Sequence, residues 1–161
     1  MESYNNYDII INMNTLKEDI KIETSEEGMT NYNNQKMKDS TVIGAIGNLN
    51  VGKTYILSKI TGYYELRSGL RTKGISVKYP TIYGCKLIAL DSAGSEAPLL
   101  VSEEFNLDFK NKNQDELIEY VSDKKITEMF LQNFILFSSD ILIIVVGQLT
   151  YSEQKLINRI K

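Results

Sequence analysis

The octapeptide Gly47-Asn48-Leu49-Asn50-Val51-Gly52-Lys53-Thr54 constrains this chain more than any other stretch. It fits G-x-x-x-x-G-K-[ST] at every fixed position, and each fixed residue type answers a chemical need. Glycines at both ends let the backbone wrap closely round a phosphate through torsions that other residues resist. The amides of residues 50–54 then point inward as a concave anion site. A helix starting at the loop adds the positive end of its dipole. Lys53 supplies a point charge to the β- and γ-phosphates, and the Thr54 hydroxyl a ligand for Mg2+. The flanks provide the context such a loop needs. Residues 41–46 (Thr-Val-Ile-Gly-Ala-Ile) read as a short buried strand leading in, and residues 53–60 show helical spacing leading out, with Gly62 as the stop. A glycine-rich turn before a helix would not by itself require lysine and threonine at those two places.

Two further elements follow in the order a phosphate site demands. Leu87-Ile88-Ala89-Leu90 is an apolar run that ends in Asp91 and is followed by Ser92-Ala93-Gly94. An acid at the end of a strand beside the loop holds Mg2+, often through water, and a glycine three residues on offers its amide to the γ-phosphate. Between the loop and this strand lies Arg71-Thr72-Lys73-Gly74. Thr72 there is placed to close over Mg2+ and the γ-phosphate and so to sense the nucleotide. The residues read as phosphate-binding are therefore Gly47, Asn48, Leu49, Asn50, Val51, Gly52, Lys53, Thr54 and Gly94. Thr54, Thr72 and Asp91 are the metal ligands, and Lys53 and Thr72 the catalytic residues.

The rest of the chain sets the frame. Residues 8–13 read as a strand, residues 16–22 as a second strand or a short helix, and the Asn-rich residues 25–38 as a loop or disordered linker. Residues 1–39 are thus expected to be a partly disordered N-terminal extension. Residues 74–83 read as a strand, with Pro80 suggesting a sheet edge. Residues 114–138 carry apolar side chains three or four apart and read as one long amphipathic helix, with Met129, Phe130, Phe134 and Phe137 at core spacing. Residues 141–146 read as a fully buried strand. Thr150 with Glu153 is a capping-box signal for a last helix holding Leu156, Ile157 and Ile160. This succession predicts an α/β fold, a P-loop NTPase three-layer α/β/α sandwich with a mainly parallel sheet. The chain stops inside its last helix, so residues 40–161 are expected to be a C-terminally incomplete domain.

Composition narrows the function classes. With 161 residues the chain is one domain at most, and 42% apolar residues suffice for a core. The net charge of −3 gives no support to nucleic-acid binding or to a polybasic membrane surface. Histidine is absent, which removes His-ligated metals and catalytic imidazoles; the lone Cys85 excludes an internal disulfide and reads as a small core residue. No targeting segment is visible, and the expected location is cytoplasmic. Glu96, Glu103 and Glu104 read as solvated loop carboxylates, and Lys124-Lys125 as an exposed helix face.

The three phosphate elements in this order resemble a GTPase G domain. Thr72-Lys73-Gly74-Ile75 followed by Pro80, and Leu90-Asp91-Ser92-Ala93-Gly94, resemble the dynamin-superfamily GTPases of the guanylate-binding protein and atlastin type. The resemblance spans about residues 40–161. It implies GTP (and GDP) binding and GTP hydrolysis with Mg2+, a nucleotide-dependent homodimer, and membrane association by analogy. Lys53, Thr54, Thr72, Asp91 and Gly94 carry over. Three positions depart from the pattern: Asn50 stands where an arginine finger would be, Leu70 where a water-positioning serine would be, and Ala93 where a glutamate would be. Arg67 or Arg71 is the candidate replacement for the finger. Guanine recognition would belong to a strand beyond residue 161, so guanine over adenine rests on the resemblance. Other readings compete with a GTPase: a nucleotide-binding module with little hydrolysis, an ATP-binding P-loop protein, and a fragment active only within a longer chain.

Overall fold

The computed structural model describes residues 7–13, 15–16, 19–35, 39–63, 72, 74–80, 86–95, 113–148 and 150–160. In chain order the elements are β1 (Ile9–Asn12), β2 (Lys21–Thr24), α1 (Glu26–Gln35), β3 (Thr41–Gly47), α2 (Lys53–Thr61), β4 (Ile75–Lys78), β5 (Leu87–Ser92), α3 (Gln114–Ser138), β6 (Ile141–Val145) and α4 (Tyr151–Ile160). Together they form an α/β fold with one six-stranded sheet in the order β2-β1-β4-β5-β3-β6.

The sheet is mixed, which corrects the expectation of a mainly parallel one. The parallel pairs are β3–β5 and β3–β6, on either side of β3; the β1–β2, β1–β4 and β4–β5 pairs are antiparallel. Connection length supplies the reason. A parallel neighbour needs a crossover of roughly a dozen residues or more. Residues 13–20 and 79–86 are too few for one, so β2 and β5 turn back on β1 and β4. The long β3–β5 and β5–β6 connections hold α2 and α3, and those strands run parallel to β3.

Strand alternation places helices on both faces. Ile43 and Ala45 of β3 pack with Leu57 of α2, while Ile46 packs on the opposite face with Ile135 and Leu131 of α3 and Ile160 of α4. The α3 start is a full capping box: the Asn113 side chain accepts the Glu116 N–H, and the Glu116 carboxylate accepts the Asn113 N–H. At α4 the Glu153 half of the expected box is present: the Thr150 N–H donates to Glu153 Oε2 at 2.9 Å, and Thr150 Oγ1 lies 3.3 Å from the same oxygen.

Four local expectations change. Residues 26–35, read as a loop or linker, form α1; Ser25 starts it by accepting the Gly28 N–H on Oγ at 2.9 Å. β4 is not an edge strand, because β1 pairs along its other side and Pro80 lies beyond its last residue. β6 is not fully buried: it is the outer strand, and Ile141 is 50% exposed. On α3 the core contacts come from Thr127, Leu131 and Ile135, whereas Met129, Phe130, Phe134 and Phe137 lie exposed. Apolar residues occur all round this helix, so periodicity alone did not single out the buried stripe.

The N-terminal strand is fastened by a buried acid. Asp8, 2% exposed, pairs with Lys78 Nζ at 3.2 Å and accepts hydrogen bonds from the Tyr79 N–H at 2.6 Å and Asn31 Nδ2 at 3.0 Å. The first strand belongs to the same sheet as β3, which leads into the loop of residues 47–54. Among the described residues no helix is long and apolar enough to cross a membrane.

Candidate functional site

The loop between β3 and α2 takes the shape its glycines allow. Gly52 has φ 89°, a left-handed conformation, and no side chain caps the α2 start behind it. Asn50 also has positive φ, at 61°, a conformation asparagine tolerates better than most side chains. Lys53 turns back along the loop, and its Nζ donates to the Asn48 carbonyl at 2.8 Å. The side chain is nearly buried, with 4% exposed. Burial lowers its pKa from the ordinary lysine value, and the Asp91 charge partly offsets this.

Asp91 lies at the end of β5, beside β3, and is fully buried. Its Oδ1 accepts the Ser92 N–H at 2.9 Å. Its Oδ2 gathers three hydroxyls: Thr54 through a short hydrogen bond, Thr72 at 3.1 Å, and Tyr7 at 2.5 Å. Thr54 and Thr72 stand 3.2 Å apart, oxygen to oxygen. The three residues read from the sequence as metal ligands thus meet at one point, at the mouth of the loop. Hard oxygen donors of this kind suit Mg2+, which is bound with one or two carboxylates while keeping water and substrate phosphate oxygens for its other positions. Among the described residues no cluster of three or more His, Cys, Asp or Glu offers a metal an all-protein cage.

Gly94 closes the other side. It has φ 92°, and a Cβ there would lie 2.6 Å from Lys53 Nζ and 2.9 Å from the Asn48 carbonyl. The neighbouring segment is laced to the loop. The Leu49 N–H donates to the Ser95 carbonyl at 2.9 Å, and Ser95 Oγ meets Asn48 Oδ1 at 3.0 Å. The Ala93 N–H donates to the Gly74 carbonyl at 3.0 Å, which ties this segment to the stretch that follows Thr72. Replacing Gly94 by alanine is expected to cost about 2 kcal/mol of stability, from the torsion and from the clash with loop backbone. Urea unfolding checks the cost.

Sequence reasoning missed two participants. Ser95 sits one residue past the glycine that was recognised. Tyr7 had no signal at all: it is 84 residues from Asp91 in sequence, in a segment read as a partly disordered extension. Its phenol is pushed well above its ordinary pKa, first by burial and then by the Asp91 charge, so it remains a donor. Arg67, Leu70, Arg71, Lys73, Cys85, Glu96, Glu103 and Glu104 lie outside the described residues.

No family model matches the sequence, and no solved structure matches it. The chain is 28% identical over 138 residues, 81% of its length, to a heat shock protein of Dictyostelium discoideum, of which it spans 19%. These findings overturn the resemblance to dynamin-superfamily GTPases of the guanylate-binding protein and atlastin type. The physical basis of that resemblance was three short segments. Such segments report what a loop can hold and carry little information about descent.

Proposed function

We propose that the loop of residues 47–54 binds the phosphates of a nucleoside triphosphate together with Mg2+, and that the chain hydrolyses it. The observation that carries this reading is the meeting of Thr54, Thr72 and Asp91 oxygens beside the buried Lys53 ammonium. A cation held at those oxygens and an anion held by the loop amides and Lys53 would lie side by side, as a metal–phosphate complex requires. The same reading takes the fold as a P-loop NTPase sheet, with the phosphate loop after β3 and the acid on adjacent β5. Lys53 and Thr72 are the residues that would act on the γ-phosphate. GTP and ATP both remain substrates of this proposal, since the preference for guanine rested on the family resemblance.

A second reading, binding with little turnover, is favoured by two side chains. Asn50 in the loop and Ala93 before Gly94 offer no charge to a developing phosphoryl group.

Equilibrium binding of fluorescent GTP and ATP, with Mg2+ and with EDTA, tests the proposal. Binding of one or both nucleotides that weakens severalfold in EDTA is expected, and the tighter of the two names the base. A folded chain that binds neither would refute the reading. Phosphate release measured on the same samples then separates hydrolysis from binding alone.

A further inference from the structure

Among the described residues, Tyr7 supplies the one hydroxyl on Asp91 Oδ2 that comes from neither the phosphate loop nor the stretch around Thr72. A carboxylate has about four lone-pair positions over its two oxygens. Three donors on Oδ2, with the Ser92 N–H on Oδ1, leave that oxygen oversubscribed. Thr54 and Thr72 can keep their contact and still turn a lone pair toward a cation, because each hydroxyl is a donor and an acceptor on a short side chain. The phenol of Tyr7 is less free. Its ring packs against the buried pair Tyr63 and Ala89. The next residue, Asp8, is locked by Lys78, Asn31 and the Tyr79 amide. The phenol oxygen therefore cannot move away from Oδ2 without moving a packed ring or an anchored strand, and only its proton can turn.

We propose that the Tyr7 phenol competes with the divalent ion for the Asp91 carboxylate, so that the segment leading into β1 sets the metal affinity of the site. The inference rests on the Mg2+–nucleotide reading above. A cation approaching Oδ2 takes electron density that the phenol proton now holds, and the two share that oxygen only with a lengthened Tyr7 hydrogen bond. The first strand thereby acts on the metal through Asp91, as a positioning element rather than a catalytic one.

Tyr7→Phe removes the hydroxyl and keeps the ring packing. The Mg2+ concentration that half-saturates nucleotide binding is expected to fall about tenfold, the scale of one hydrogen bond to a charged group, while nucleotide binding in EDTA stays unchanged. A purely structural role would lower the melting temperature without raising metal affinity. A half-saturating Mg2+ concentration that is unchanged or higher in Tyr7→Phe would overturn the proposal. The second readout is the Tyr7 resonance in protein labelled with 13C at tyrosine Cζ, identified by its loss in Tyr7→Phe and followed in a titration with Mg2+ alone. Movement of that resonance supports competition, and indifference to Mg2+ defeats it. If the wild type binds no nucleotide, the phosphate-site reading fails, and this titration still decides the role of Tyr7.

Discussion

Replacing Lys53 by methionine is expected to cut nucleotide affinity roughly a hundredfold or more while making the fold slightly more stable. Lys53 is 4% exposed, and among the described residues its ammonium donates to the carbonyl of Asn48. Burial without a full set of acceptors destabilises the charged form, which is why its pKa is lowered. An anion in the loop supplies the missing partner, so removing the charge forfeits an interaction of the size seen for desolvated charge pairs. Methionine fills nearly the same volume with no charge to desolvate. A gain of about 1 kcal/mol follows, a rise of roughly 2–4 °C for a chain of this size. The pH dependence has a definite sign. The unfolded chain holds the Lys53 proton more tightly than the folded one, so stability rises as pH climbs from the lowered folded value toward 10.5. The methionine variant should lose that slope. Thermal unfolding over a pH series and fluorescent-nucleotide titration measure the two halves. A variant that is less stable than the wild type and binds nucleotide equally well would sink the account.

Asp91→Ala is expected to be the most damaging single change at the site. It strips the acceptor from the hydroxyls of Tyr7, Thr54 and Thr72 and from the Ser92 amide at a fully buried position. Thr54 and Thr72 can turn to each other, but the phenol and the amide are left without their carboxylate. A loss of about 3 kcal/mol is the scale for breaking such a network, or roughly 6–12 °C in melting temperature. Asp91→Asn separates the structural role from the metal role. Its carbonyl can still accept from Ser92, and the hydroxyls can rotate to accept from its amide, so stability should change by about 1 kcal/mol or less. The Mg2+-dependent part of nucleotide binding should nevertheless disappear in both variants. If Asp91→Asn keeps that dependence, the carboxylate charge is not what holds the metal.

The parts of the site that lie close together along the chain were legible in the sequence. Gly52 needs its left-handed torsion, Lys53 and Thr54 follow at the start of a helix, and Asp91 closes an apolar strand with Gly94 three residues on. Each of these is a demand of chemistry on a few consecutive residues. The start of α4 at Thr150 and Glu153 was readable for the same reason, since a cap is satisfied within one turn.

Sequence by itself thus determined the glycine-rich loop after β3, the acid at the end of β5, and the strands and helices from residue 41 onward. Tertiary structure decided who stands next to whom. The apolar character of residues 141–145 is the same whether that strand is central or, as here, outermost. The apolar residues of α3 surround the helix, and only the sheet beneath chose Leu131 and Ile135 over Phe134 and Phe137. Most of all, no local pattern could announce that Tyr7 would reach Asp91 across 84 residues. That contact exists because β1 pairs with β4, β4 pairs with β5, and the Asp8–Lys78 pair fastens the strand start in place. Sheet order is settled by burial and hydrogen bonding summed over the whole chain, and a short stretch of sequence holds no record of that sum.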